Sequence, residues 1–243
     1  MMAKYWNTEY YSQPTKEELT RKAKSSAGKA RRKGIVYDPV IIKGRTICHS
    51  WWGNAWCDNL ERYADYASRI ERGRRYVRNG SVIDLQISKG RVQARVQGTR
   101  KTPYKVDIRI SPLSEEKCDM IMERCGKKLD SLEALLSGAF PEEMKDLFFA
   151  RDGLFPSPAE ISLNCSCPDW ALMCKHVAAV LYGIGTRFDR DPMLFFELRG
   201  IDAGKLIDVT LQDRIEHMLE NAENRTSRML DGEDLSAIFG VLD

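Results

Sequence analysis

Residues 165–176, CSCPDWALMCKH, set three of the chain's seven cysteines and one of its three histidines within a single short stretch. Cys165 and Cys167 stand one residue apart, Pro168 forces a turn, and Cys174 and His176 then repeat the spacing with an imidazole in second place. Three thiolates and one imidazole match a closed tetrahedral zinc site, in which no position remains for water or substrate. A redox pair would want Cys-x-x-Cys beside a βαβ pattern, and neither is present. A Cys/His nucleophile would want one cysteine with an orienting carboxylate or amide, and Asp169 is only a sequence neighbour. Thiols flanked by Asn164, Ser166, Pro168 and Asp169 lie in turn-like sequence, which sets aside an ordinary buried helix. The expectation is one Zn2+ per chain, bound by Cys165, Cys167, Cys174 and His176. The following VAAVLYGIG predicts a helix with Val177, Val180, Leu181 and Ile184 at core spacing and His176 in its first turn. Metal binding of this kind couples to folding with an apparent worth on the order of 10 kcal/mol, so the finger is expected to fray without zinc.

Upstream, SWWGNAWCDNLERYADYASRI predicts an amphipathic helix capped by Ser50, with Trp52, Ala55, Trp56, Leu60, Tyr63 and Ala67 on one face. Its tryptophans read as core in preference to a base-stacking platform. The period then changes to two. Arg78-Asn79-Gly80-Ser81 reads as a hairpin turn, and the runs around Ile83, Leu85 and Ile87, around Val92, Ala94 and Val96, and around Tyr104, Val106, Ile108 and Ile110 predict an antiparallel meander over residues 74–110. From Ser114 helices return, with Cys118, Ile121, Met122 and Cys125 on a core face that ends near Gly126. Further short helices are expected at 131–138, after Pro141, at 191–200 and between 203 and 222, and residues 160–164 read as a short strand. The fold class is therefore α+β: an antiparallel β-meander with flanking helices, followed by a small zinc-finger unit packed with C-terminal helices. The expected organisation is a basic, partly flexible arm (1–44), an α+β domain (45–150), the zinc finger with its helix (151–205) and a helical acidic segment (206–243).

The formal net charge of +3 conceals an asymmetry, because residues 1–110 carry 24 Lys and Arg against 10 Asp and Glu while the remainder carry 14 against 25. A basic first half suggests a polyanion. Residues 15–34 read as a flexible basic arm or nascent helix, solvated until it meets phosphate. Arg69, Arg72, Arg74, Arg75 and Arg78 lead into the meander, and Arg91 and Arg95 on one strand with Lys105 and Arg109 on another make its polar face nearly all cationic, with Asp84 and Asp107 as weak relief. These residues and Lys175 are the expected nucleic-acid contacts, and changing Arg74, Arg75 and Arg91 to Glu is expected to abolish binding without unfolding.

The pattern Cys-x-Cys, a gap, Cys-x-His and an apolar helix resembles the SWIM zinc finger, and residues 50–87 resemble the N-terminal region of bacterial SWIM zinc-finger proteins, so that the likeness covers most of residues 45–205. The resemblance implies zinc on the same four residues, a DNA-binding or protein-interaction role, and a Snf-type helicase-like ATPase as neighbour. No Gly-x-x-x-x-Gly-Lys phosphate loop is present, so that ATPase would be a separate polypeptide. The favoured reading is a non-catalytic nucleic-acid-binding protein, with DNA as the polymer. The alternative is a protein–protein adaptor whose zinc module docks a partner enzyme, with the apolar patch at 235–242 as a docking element. An enzyme reading has only His49 beside Cys48, with Cys57 nearby, and His217 in an acidic helix; no paired carboxylates or Ser-His-Asp set present themselves. With no run near the roughly 18 residues a membrane span needs and no apolar leader core, the expected location is cytoplasmic, with no membrane partner. If zinc makes the cluster a scaffold, the ligand-touching groups near it are its exposed non-ligands, Asp169, Trp170 and Lys175.

Overall fold

A computed structural model describes residues 14–128, 136–137, 140, 142–150 and 153–223. The helix expected at 131–138 falls largely outside these residues, and Pro141 and the apolar patch at 235–242 fall wholly outside them.

Helix α1 (Lys16–Arg31) starts on a capping box in which the Thr15 hydroxyl accepts from the Glu18 N–H and the Glu18 carboxylate accepts from the Thr15 N–H. Its interior is rich in Ala, Lys and Arg, which are good helix formers. Leu19, Ala23 and Ala30 make one buried face. The small side chains let α1 lie close against the body, where Lys22 donates to the Thr99 carbonyl at 2.8 Å and Ser26 to Gln97 at 2.6 Å. The basic segment is thus a docked helix.

Helix α2 (Trp51–Glu61) is capped by Ser50, whose Oγ accepts from the Gly53 N–H at 3.0 Å. Trp56 is fully buried against Phe188 and Phe195, and its indole N–H donates to the Leu181 carbonyl at 3.0 Å. The aromatic face is core, as its periodicity indicates. The helical run is not continuous, however. It stops at Glu61 and restarts as α3 (Ala67–Arg78), so the segment expected to open the meander is helical and the arginines at 69–78 ride on a helix. Asn79-Gly80 is correspondingly a helix terminus and not a hairpin turn. Gly80 has φ 68°, the Ser81 N–H donates to the Tyr76 carbonyl and the Gly80 N–H to that of Val77. Those two bonds define a glycine-terminated helix end, which needs the same positive φ as the hairpin.

The sheet runs β1 (Val82–Ser88), β2 (Arg91–Val96), β3 (Tyr104–Ile110), β4 (Ile161–Cys165), each antiparallel to its neighbour, in sequence order. The β1–β2 hairpin turns at Lys89-Gly90, with Gly90 at φ 69°. Register places Leu85, Ala94, Val106 and Cys165 in one row and Ile87, Val92, Ile108 and Leu163 in the next, all on the inner face. The strand that carries the first cysteine ligand is therefore the fourth strand of the meander's own sheet.

Helix α4 (Glu115–Lys128) buries Cys118, Ile121, Met122 and Cys125 and runs two residues past Gly126. After the short α5 (Lys145–Phe149) and β4 come α6 (Lys175–Phe188), α7 (Met193–Arg199) and α8 (Ala203–Glu223), the last packed beside α4. Within α6 only Lys175 and Arg187 escape full burial. It lies between the inner face of the sheet and helices α2 and α3, and every strand touches it. Where α3 crosses it, a Cβ on Gly73 would come 2.5 Å from the Cβ of Ala178. No helix among the described residues is long and apolar enough to cross a membrane.

Two glycine substitutions separate these roles. Gly73→Val forces α3 off α6 and is expected to lose about 2 kcal/mol in urea unfolding. Gly28→Ala, in an α1 position with nothing within 4 Å of the new Cβ, is expected to gain about 0.8 kcal/mol from helix propensity.

Candidate metal centre and cationic surfaces

The four expected ligands converge because two elements deliver them in pairs. Strand β4 ends at Cys165, on the inner face opposite Val106, and the chain turns over the edge through Cys167. Cys174 is the N-cap of α6, and His176 lies in the first turn. Their donor atoms all fall within 4.8 Å of one another. His176 turns Nδ1 to the cluster, 3.9 Å from the Cys165 sulfur and 4.0 Å from that of Cys174. Zn–S and Zn–N bonds at tetrahedral angles require edges of about 3.6–3.8 Å, so the set fits zinc with little adjustment.

The surroundings fix the imidazole. Tyr104 stacks on it with centroids 4.2 Å apart, and Tyr76 meets it edge-on at 5.5 Å. Gly98 leaves room for this stack, since a Cβ there would stand 2.7 Å from the Tyr104 ring. The other ring nitrogen, Nε2, is buried with no hydrogen-bond partner among the described residues, so the ring's polar function is directed at the cluster. Burial holds the His176 pKa below its usual value, which keeps the imidazole neutral. The Cys165 thiol donates to Cys174 and draws the Cys174 thiol down to about 4, while Cys165, as donor, is pushed up. Burial also raises Cys167. Such a cluster holds thiolate at Cys174 and protons on its neighbours until a cation displaces them. Four protein donors fill a tetrahedral shell, so this centre is built for structure.

Among the described residues the other thiols do not form a second metal-binding cluster. Cys48 and Cys57 lie buried with sulfurs 3.6 Å apart, and hydrogen bonding between them together with burial pushes the Cys57 thiol up. His49 points elsewhere in function: its backbone N–H joins the Ser50 N–H and hydroxyl on the Asp189 carboxylate, which pins the start of α2 to the end of α6.

The expected cationic residues are separated into two surfaces. Arg91, Arg95, Lys105 and Arg109 lie on the outer face of the sheet, whereas Arg69, Arg72, Arg74, Arg75 and Arg78 belong to α3, which packs on α6 on the other side. The acids on the sheet do more than relieve its charge. Asp107 pairs with Arg91 at 2.6 Å and with Arg109 at 3.3 Å, and Asp84 lies 3.7 Å from Arg95. On α3, Arg74 is held by Glu61, which also accepts from the Tyr182 hydroxyl, and Arg69 pairs with Asp169 at 3.0 Å. Arg78 donates to the Arg45 carbonyl. Arg74→Glu would set a carboxylate against Glu61, so it tests packing as much as binding. Lys175, half-buried at the start of α6, neighbours the metal cluster, and of the three non-ligands expected to be exposed only Trp170 is, since Asp169 is half-buried too.

Sequence reasoning missed Tyr76, Tyr104 and Gly98 as supports for the ligand ring. Tyr104 shows in the sequence only as one more core-facing strand residue. It also missed the docking of α1, which depends on Gln97 and Thr99 far along the chain.

Residues 154–183 match the SWIM zinc finger family, so the chain carries a SWIM zinc finger. The chain is also 37% identical over 172 residues to the Mycobacterium tuberculosis (strain ATCC 25618 / H37Rv) protein Rv2102, whose description states no activity. That match takes in 68% of this chain and 62% of the relative, so the chain spans less than two thirds of the relative's length. No solved structure matches the chain.

Elemental analysis of purified protein is expected to give one zinc per chain. Cys165→Ala and His176→Ala are each expected to lose it, whereas Cys118→Ala, in the core of α4, keeps it.

Proposed function

We propose that this chain, which carries a SWIM zinc finger, is a non-catalytic, zinc-stabilised nucleic-acid-binding protein whose polymer is DNA. The observation that supports this reading best is α1 with its flanking residues. Residues 16–33 hold eight Lys and Arg against two Glu, and none of the eight makes an ion pair with a described residue. Arg21, Lys24 and Lys29 are exposed, Arg21 opposite the buried Leu19, Ala23 and Ala30 and the two lysines on the flanks. The helix docks at Thr99, next to the exposed Arg100 and Lys101 of the β2–β3 turn, which enlarges the same surface. Unpaired cations held on a rigid element suit phosphate, and binding of this type is sequence-tolerant and falls steeply with salt.

Affinity for a DNA duplex is expected to fall roughly a thousandfold between 50 and 200 mM salt if about six phosphates are contacted. The triple change Arg21→Glu, Lys24→Glu, Lys29→Glu is expected to weaken binding more than tenfold with an unchanged unfolding midpoint. A flat salt response measured by fluorescence anisotropy contradicts the reading.

One observation favours a second, compatible role as an adaptor for a helicase-like ATPase. Helix α8 turns Leu211, Ile215, Met218 and Leu219 outward, between 42% and 67% exposed, at the spacing of one helical face. If that stripe docks the ATPase, Ile215→Glu with Met218→Glu is expected to abolish its co-purification while leaving DNA affinity intact. Retention of the ATPase by that variant contradicts the adaptor role.

A further inference from the structure

Trp170 is 81% exposed at the tip of the loop between Cys167 and Cys174. Trp and Tyr are enriched at surfaces that bind partners, because each joins a broad apolar ring to a polar handle. The loop that presents it is rigid. The Asp169 carboxylate is paired with Arg69 at 3.0 Å and accepts from the Ala171 N–H at 3.4 Å. The Leu172 N–H donates to Asp65 at 2.7 Å, and cluster ligands bracket the loop on both sides. Tyr66, itself 42% exposed, meets the indole edge-on with centroids 5.8 Å apart at 85°. A single perpendicular neighbour can cover at most one face of the indole, and with 81% of Trp170 exposed the other is open to solvent. The Arg69 guanidinium stands 6.0 Å from the centre of the Tyr66 ring, and Arg62 and Lys175 lie within five residues of Tyr66 and Trp170 along the chain. The two acids of this corner are already engaged, Asp169 by Arg69 and Asp65 by the Leu172 N–H.

We infer that Trp170, seconded by Tyr66, stacks an unpaired nucleobase, so that the preferred polymer is single-stranded. The inference rests on the nucleic-acid reading above and adds the strand state and the stacking residue. A flat, preorganised ring, with Arg69 beside its Tyr66 neighbour and Arg62 and Lys175 close along the chain, meets the two needs of a single strand at once, a π-face for the base and positive charge for the backbone. Bases inside a duplex have both faces covered by their neighbours, so an indole projecting from a short loop reaches only an unstacked one. Because the loop is pinned at Asp169 and Leu172, little ordering is required on binding.

The test uses zinc-loaded full-length protein and fluorescence anisotropy with a labelled 20-nucleotide DNA strand of non-self-pairing sequence and with its duplex. The single strand is expected to bind at least tenfold more tightly than the duplex. Trp170→Ala is expected to lose roughly tenfold on the single strand, within the range of one stacked base, with the salt slope and the duplex affinity unchanged. Trp170→Phe is expected to keep most of the affinity, and zinc content is expected to stay at the wild-type level in both variants because the side chain lies in solvent. Equal binding of strand and duplex, or an unchanged single-strand affinity in Trp170→Ala, overturns the inference. If the α1 triple variant still weakens binding in that case, the nucleic-acid reading stands alone. Failure of both polymers to bind at 50 mM salt removes the nucleic-acid reading and this inference with it.

Discussion

The tie between the end of β4 and the start of α6 is the constraint on which the rest depends. Helix α6 is buried nearly all round, with the sheet on one side and α2 and α3 on the other. Such a helix has no solvent face to set its rotation. Its N-terminus is located instead by Cys174 and His176, joined in one donor cluster with Cys165 and Cys167. Displacing α6 would disturb the crossing at Gly73 and Ala178, the Trp56 bond to Leu181 and the anchor of Ser50 on Asp189 together. A metal bound there therefore acts on the whole fold, although its ligands occupy one short stretch of chain.

Scaffold and surface are divided accordingly. The centre presents no open coordination position, so recognition passes to what the scaffold holds outward. On the sheet much of the positive charge is cancelled in place, because Asp107 reaches Arg91 diagonally across the strands and Arg109 along its own strand. The cations of helix α1 make no ion pair with a described residue, and the loop between Cys167 and Cys174 exposes an aromatic ring instead of a charge. The electrostatic contact proposed for α1 and the stacking proposed for Trp170 are distinct kinds of interaction, one dependent on salt and the other largely indifferent to it.

The metal cluster was legible in the sequence because its ligands are close along the chain and their spacing carries the chemistry. The strands were legible for a similar reason: alternation from Ile83 to Ile110 places residues on faces without knowledge of neighbours. Asn79-Gly80 misled because a helix end and a hairpin turn ask for the same positive φ. The pairing of Arg91 with Asp107 could not be read because it depends on the register of two strands. Docking of α1 depends on partners some seventy residues away, at Gln97 and Thr99. The supporting ring of Tyr104 was hidden in an apolar alternation that any core strand would show.

The most direct measurement of the central claim is thermal unfolding of the same preparation before and after its metal is stripped by a chelator. The structure predicts a single cooperative transition that falls by many degrees on stripping, with loss of near-UV aromatic signal from the buried core, and returns with one equivalent of zinc. An unchanged midpoint in the stripped protein would contradict the role assigned to Cys165, Cys167, Cys174 and His176.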